Sequence, residues 1–94
     1  MTSPVVLRAR IETLYMAMTD AGTPRGALTW FADTIGVRRK AVWSWCQSDR
    51  NPKKPILMVL GYLERDAGDR LEQAQQRRQE YYSAKLEEAG TDVG

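Results

Sequence analysis

Residues 28–47, LTWFADTIGVRRKAVWSWCQ, decide how this chain folds. Apolar residues recur on each side of Gly36, mostly three or four positions apart, which places them on one face of a helix. These stripes consist of Leu28, Phe31, Ala32 and Ile35 before the glycine and of Val37, Val42 and Trp45 after it. Glycine readily adopts the positive φ that a sharp turn between helices requires. The stretch therefore predicts two short helices joined by a tight turn.

The small side chain of Ala32 lets the second helix cross close to the first. Two short helices packed in this way around a tight turn are typical of a helix-turn-helix unit that binds DNA. The stretch also resembles the bihelical unit of Xre/Cro-like phage and bacterial repressors. The positions that match are Phe31, Ala32, Gly36, Val37, Val42 and Trp45. With one helix before and one after, the likeness covers roughly residues 5–66. The resemblance implies sequence-specific binding to double-stranded DNA and a role as a repressor.

Two residues depart from the pattern of that family. Arg38 occupies a position where the family usually has Ser or Thr to cap the second helix, and an arginine cannot accept a bond from the helix N–H groups. Trp43 stands where the family usually has a small or polar residue. The expected contacts with bases therefore follow the chemistry of this chain rather than a transfer from the family.

The positive charge of the chain is concentrated around the second of these helices. The formal net charge of the whole chain is only +2. Residues 34–54 hold six basic side chains against one acidic side chain, residues 1–33 are balanced, and residues 55–94 hold five basic against eight acidic. A basic patch that coincides with a helix-turn-helix motif indicates a surface for nucleic acid.

The sequence around the motif predicts an all-α protein, a small lambda-repressor-like helix-turn-helix bundle of about four helices plus a C-terminal helix. Ser3-Pro4 and Thr23-Pro24 are helix-start signals, although the second helix could instead begin near Ala27. Pro55 begins a fourth helix whose apolar stripe is expected to close the core and consists of Ile56, Val59, Leu60 and Leu63. We expect a DNA-binding domain at residues 4–67 and the C-terminal helix at residues 69–90.

The C-terminal helix is rich in helix-forming residues but has only a weak apolar stripe. An isolated helix of about 20 residues is marginal in water, so this one must pack against something. We expect it to form a homodimer, with Leu71, Ala74, Tyr81, Tyr82 and Leu86 at the interface. The alternative is that it docks on the first helix of its own chain.

A helix-turn-helix protein inserts its second helix into the major groove, with the N-terminal end towards the bases. At 100° per residue, the side chains that face away from Val42 and Trp45 are Arg39, Lys40, Trp43, Ser44 and Gln47. Arg39 suits a bidentate contact with guanine, and Gln47 suits adenine. Trp43 suits a thymine methyl group or a sugar, unless it is partly buried against the preceding helix.

A second set of polar residues flanks the predicted recognition helix or lies in the loop that follows it. These are better suited to the phosphate backbone, and they comprise Thr29, Arg38, Arg50, Lys53 and Lys54. Each of them could also be an ordinary solvated residue, so the interpretation rests on the set. Together the two sets predict double-stranded DNA as the partner.

Three functions are compatible with a predicted helix-turn-helix followed by a C-terminal helix. A dimeric transcriptional regulator on a palindromic site is the expected one. A small-terminase-like DNA-packaging or replication-initiation adaptor would also combine a helix-turn-helix with an oligomerising helix, and a ring-shaped oligomer would distinguish it. A protein-interaction module on the same fold is the third, against which the basic patch argues.

The composition argues against several other classes. The chain contains no histidine and a single cysteine, so we expect no catalytic residues, no metal site and no cofactor. Its longest apolar run, Ile56–Leu60, is far shorter than a membrane span. One cysteine fits a reducing compartment, and nothing resembles a signal peptide or an effector-binding domain. We therefore expect a cytoplasmic protein of a bacterial cell or a phage-infected host, without a small-molecule effector.

Overall fold

The computed structural model describes residues 3–48 and 51–91, and these residues form five α-helices and no strand. The helices are α1 (Pro4–Thr19), α2 (Ala27–Ile35), α3 (Arg39–Gln47), α4 (Lys54–Ala67) and α5 (Arg70–Thr91). The prediction of a small all-α bundle is confirmed. The predicted helix-turn-helix pair is α2 and α3, which pack against α1, whereas α4 and α5 pack on α1 and on each other.

The first helix begins where its sequence predicts. The Ser3 hydroxyl accepts a hydrogen bond from the backbone N–H of Val6 at 3.2 Å, and Pro4 occupies the first helical position. This arrangement satisfies one of the N–H groups that the first turn leaves without a partner. The helix ends at Thr19, where Asp20 takes a left-handed conformation with φ of 58°.

The turn between α2 and α3 depends on Gly36. Its φ is 76°, a value that residues with a Cβ rarely adopt, and its N–H donates to the carbonyl of Ala32 at 2.9 Å. The N–H of Val37 donates to the same carbonyl at 3.0 Å, so the last turn of α2 is closed by two bonds. Helix α2 begins at Ala27, the later of the two starts that the sequence allowed.

The core lies between α1 and the helix-turn-helix pair. Its largest fully buried side chains are Phe31, Leu7, Ile11, Leu14, Met16, Leu60 and Val42. Trp30 packs against α1, where its ring lies 5.7 Å from that of Tyr15. Burial of these side chains removes apolar surface from water and fixes how α2 and α3 cross.

Helix α4 covers the core through fewer residues than its apolar stripe predicts. Leu60 is completely buried, whereas Ile56 and Leu63 are only partly buried. The expectation that Val59 is a core residue is wrong, because its side chain is 39% exposed. Met58 and Tyr62 are also exposed, so the outer face of α4 is apolar. The i, i+3 spacing that predicted Val59 could not tell the edge of the buried face from its centre.

Helix α5 docks on α1 of its own chain, which was the alternative to a dimerisation helix. Ala74 is completely buried in the core, which corrects its assignment to an oligomer interface, whereas Leu71 is only partly buried against that core. Hydrogen bonds that cross between the helices include those from Arg78 Nε to Glu12 Oε1 at 2.8 Å, from the Tyr82 hydroxyl to Glu12 at 2.9 Å and from an Arg77 terminal nitrogen to the Met16 carbonyl at 2.9 Å. The small Ala74 side chain permits this close approach.

Candidate nucleic-acid interface

The helix-turn-helix core fixes which face of α3 reaches the solvent. Phe31 and Ala32 of α2 and Val42 of α3 are completely buried, and they pack the two helices together. Cys46, one turn after Val42, is also buried. Because these residues occupy one side of a nine-residue helix, its opposite side is exposed along its whole length.

The five predicted base-contacting residues lie on or beside this exposed side. Arg39, Lys40, Trp43 and Gln47 are exposed, whereas Ser44 is only partly so. Arg39 lies 3.9 Å from Asp33, a distance at which two exposed side chains interact weakly. Nothing in this arrangement prevents Arg39 from turning towards another acceptor. The exposed face of α3 therefore offers two cations, an amide and an indole in one row.

The predicted phosphate-contacting residues lie at both ends of the row. Arg38 immediately precedes α3 and Lys53 immediately precedes α4; both are exposed, as is Lys54. Thr29 lies in the first turn of α2 and is partly exposed. Arg50, the fifth member of that set, falls outside the described residues. Cations therefore flank the exposed face of α3 before its first residue and after its last.

The first turn of α3 has no side-chain cap, as the replacement of the usual Ser or Thr by arginine predicts. Arg38 has extended backbone angles, and its carbonyl accepts bonds from the N–H groups of Ala41 at 3.0 Å and Val42 at 3.4 Å. Its side chain makes no capping bond. The earlier N–H groups of the helix are therefore left for water or for an anion.

Trp43 is more than half exposed, and it lines a groove together with residues of α2. Its side chain is 57% exposed. The groove holds about 440 Å³ and is lined by Leu28, Thr29, Arg39, Lys40 and Trp43. Its walls are mostly carbon, with cations at the rim. The indole therefore adds apolar surface to an otherwise basic face.

A second groove of about 340 Å³ adjoins the first and shares Leu28, Thr29 and Trp43 with it. It extends past the start of α2 to Arg25 and to Tyr81 and Tyr82 of α5. Arg25 is not among the site residues that the sequence predicts, and Tyr81 and Tyr82 were predicted to lie at a subunit interface. No local signal could have joined them, because residues 25 and 81 are brought together only when α5 packs on α1.

The floor of the second groove contains Glu12, a buried carboxylate of α1. Arg78 Nε donates to it at 2.8 Å, the Tyr82 hydroxyl lies 2.9 Å from both of its oxygens, and Arg8 Nε is 3.5 Å away. Burial is the largest cause that raises the pKa of the Tyr82 hydroxyl, and the hydrogen bond to Glu12 raises it further. The hydroxyl therefore stays protonated and donates the hydrogen bond. The carboxylate is thus satisfied internally.

The single cysteine is a core residue. Cys46 is buried, and burial raises the pKa of its thiol to about 11. A thiol that stays protonated near neutral pH is a poor nucleophile and metal ligand. Cys46 therefore packs in the core, and its thiol is poorly suited to nucleophilic attack.

Of the other proposed interface residues, Leu86 is 74% exposed and Tyr81 is partly buried. The ring of Tyr81 lies 5.2 Å from that of Tyr82, edge to face at 83°, and Lys85 Nζ lies 5.7 Å from the Tyr81 centroid. Tyr82 is tied to Glu12. Only Leu86 and the outer edges of the tyrosines are therefore left for another subunit.

Across residues 3–48 and 51–91, no three side chains of the metal-binding types come together. Within the same ranges, none of the helices combines the length and the apolar character needed to cross a membrane. Comparison with protein-family models, with curated proteins and with solved structures finds no match to this chain.

Proposed function

We propose that this protein binds double-stranded DNA sequence-specifically by inserting α3 into the major groove. We further propose that it acts as a dimeric transcriptional regulator, a repressor, in the cytoplasm of a bacterial cell or a phage-infected host. The observation that carries the proposal is the exposed face of α3. That face presents Arg39, Lys40, Trp43 and Gln47 together, while Val42 and Phe31 hold the opposite face in the core.

Each exposed side chain has a role suited to its chemistry. The planar Arg39 guanidinium donates two parallel hydrogen bonds to O6 and N7 of a guanine, and the Gln47 amide pairs in the same manner with adenine. Lys40 reaches a guanine or a phosphate. The apolar groove beside Trp43 accommodates a thymine methyl group, which is the apolar feature that the major groove presents.

The flanking cations fix the position of α3 on the duplex. Arg38, Lys53 and Lys54 neutralise phosphates and release counterions, which gives affinity without sequence preference. The uncapped N–H groups at the start of α3 add a further anion-binding feature. This division of labour predicts that base-contacting and phosphate-contacting variants behave differently.

Arg39→Ala is expected to weaken binding to a selected cognate duplex by about 1–3 kcal/mol and to relax the preference at one base pair. The exposed side chain contributes nothing to the core, so the variant remains folded. Fluorescence anisotropy with the cognate duplex and with a random duplex measures the effect. An equal loss on both duplexes would show that Arg39 does not read a base.

Lys53→Ala is the matched control, because it also removes one exposed cation but at the loop before α4. It is expected to weaken binding to all sequences similarly and to reduce the slope of log affinity against log salt by about one. The proposal of DNA binding fails if the unaltered protein binds no duplex at low salt, where the phosphate contribution is largest.

The dimer is tested by light scattering of the purified chain with and without duplex. Two subunits per duplex are expected, with recognition helices about one helical turn apart. Because Ala74 is buried within the chain and Leu71 packs partly against the same core, the exposed Leu86 is the residue of α5 to alter. Leu86→Glu is expected to shift the mass towards the monomer. A larger ring would contradict the dimeric regulator and favour a packaging or replication adaptor.

A further inference from the structure

We propose that α5 forms part of the DNA interface, and that the second groove holds a backbone strand that flanks the segment read by α3. Arg25 and Tyr81 are the residues that contact this strand. The inference rests on the proposed function and extends it, because it adds a role in binding DNA to the subunit contact proposed for α5. Three properties of the groove support it.

The first property is continuity. The grooves on either side of Trp43 share this residue with Leu28 and Thr29, so they form one channel. The channel starts at Arg39 and Lys40 on the recognition helix and ends at Tyr81 on α5. A backbone strand beside Trp43 would therefore continue along the protein surface into the second groove.

The second property is charge. The basic side chains that line the channel are Arg8, Arg25, Arg39 and Lys40. Among its lining residues, Glu12 is the only one with a carboxylate. The side chain of Glu12 is only 5% exposed, and Arg78 and Tyr82 donate hydrogen bonds to it. The channel therefore favours a polyanion. A DNA strand carries one negative charge per about 3.4 Å of helix axis, which suits a row of spaced cations.

The third property is the fixed position of Tyr81. Its ring packs edge to face on Tyr82, whose hydroxyl is bound to Glu12, so the pair is anchored to the core. Lys85 Nζ lies 5.7 Å from the centroid of the Tyr81 ring and adds a cation beyond the groove. Tyrosine hydroxyls and lysines both bind phosphate oxygens in protein–DNA complexes. The tertiary contact that docks α5 thus also places a donor beside the recognition helix.

The test compares salt slopes of affinity for a random duplex of at least two helical turns. Arg25→Ala is expected to reduce the slope by about 0.9, the value for one lost phosphate contact. Arg65→Ala is the matched control, because Arg65 is exposed on α4 beside Met58 and Tyr62, away from the channel. We expect the control to leave the slope unchanged. Identical slopes for the two variants would overturn the inference.

Tyr81→Phe gives a second, charge-neutral measurement. Loss of one hydrogen bond to a phosphate is expected to weaken binding roughly threefold to tenfold. Tyr62→Phe, which removes a hydroxyl from the exposed face of α4, is expected to have no effect. Circular dichroism verifies that all four variants retain their helices. Equal affinities of the two phenylalanine variants would contradict the role of Tyr81.

These outcomes separate the inference from the function on which it rests. If Arg39→Ala and Lys53→Ala weaken binding while Arg25→Ala and Tyr81→Phe do not, DNA binding stands and the role of α5 is wrong. If the unaltered protein binds no duplex at low salt, both proposals fail. A lower slope for Arg25→Ala but not for Arg65→Ala supports both.

Discussion

Phe31→Ala is expected to lower the free energy of unfolding by about 3–5 kcal/mol, the usual cost of truncating a buried phenylalanine. Phe31 is 0% exposed and is the largest fully buried side chain. The loss combines the transfer energy of the ring with the cavity that it leaves between α1 and the helix-turn-helix pair. Small domains have a total stability of about 5–15 kcal/mol, so this one change removes a large part of it.

Urea denaturation followed by circular dichroism measures the loss. Trp43→Ala is the matched control, because it truncates an aromatic side chain that is 57% exposed on the neighbouring helix. The control is expected to change stability by less than about 1 kcal/mol, since surface substitutions away from special features cost little. Comparable losses for the two variants would mean that the helix-turn-helix core is not arranged as described.

The same pair separates stability from recognition. The Phe31 side chain touches no DNA in the proposed complex. At temperatures below the melting temperature of the variant, Phe31→Ala is therefore expected to bind DNA in proportion to the fraction of the protein that is folded. Trp43→Ala is expected to stay folded and to bind more weakly at every temperature. A reversal of these effects would assign the exposed face of α3 a structural role and would remove the support for the proposed function.

Glu12→Ala is expected to destabilise the protein by about 3 kcal/mol, because breaking a buried ion pair leaves the other charge uncompensated. Glu12 accepts bonds from Arg78 at 2.8 Å and from Tyr82 at 2.9 Å, and these contacts join α1 to α5. Without the carboxylate, the Arg78 guanidinium must either remain desolvated or pull α5 away from α1. We therefore expect α5 to become more accessible to proteolysis as well.

Glu64→Ala is the control for this effect. Glu64 joins α4 to α1 through a two-bond pair with Arg10, in which Arg10 Nε lies 3.0 Å from Glu64 Oε2. The Glu64 side chain is 23% exposed against 5% for Glu12, and its partner Arg10 is 32% exposed against 23% for Arg78, so water solvates both members of this pair better. A loss of at most about 1 kcal/mol is expected. Hydrogen exchange of α5 amides should increase in Glu12→Ala alone, and protection equal to that of the unaltered chain would refute the bridging role of Glu12.

Local signals in the sequence predicted much of the fold and the exposed face of α3. The Ser3-Pro4 start, the left-handed Gly36 and the loss of a cap at Arg38 each depend on the chemistry of one or two residues. The separation of buried Val42 from exposed Trp43 follows from helical periodicity alone. Such properties are predictable because they depend on neighbours within about one helical turn.

Periodicity was a poorer guide to α4 and α5, which pack on α1. Val59 has the spacing of a core residue, but its exposure depends on the angle at which α4 crosses α1. Ala74 looked like a residue for a second subunit because α5 has few apolar side chains to identify its partner. In the structure, the hydrogen bonds to Glu12 help to hold α5 on α1. The spacing of apolar residues in a sequence does not predict polar contacts of this kind.

The sequence by itself determined the helices, the turn at Gly36 and the row of polar residues on α3, since backbone preference and side-chain period act over short distances. Only the tertiary structure decided that α5 docks on α1 and that Arg25, Trp43 and Tyr81 line one channel. Those residues are far apart in the chain. Their proximity depends on burial of Ala74 and on the bonds to Glu12, and long-range contacts of this kind exist only after the core has formed.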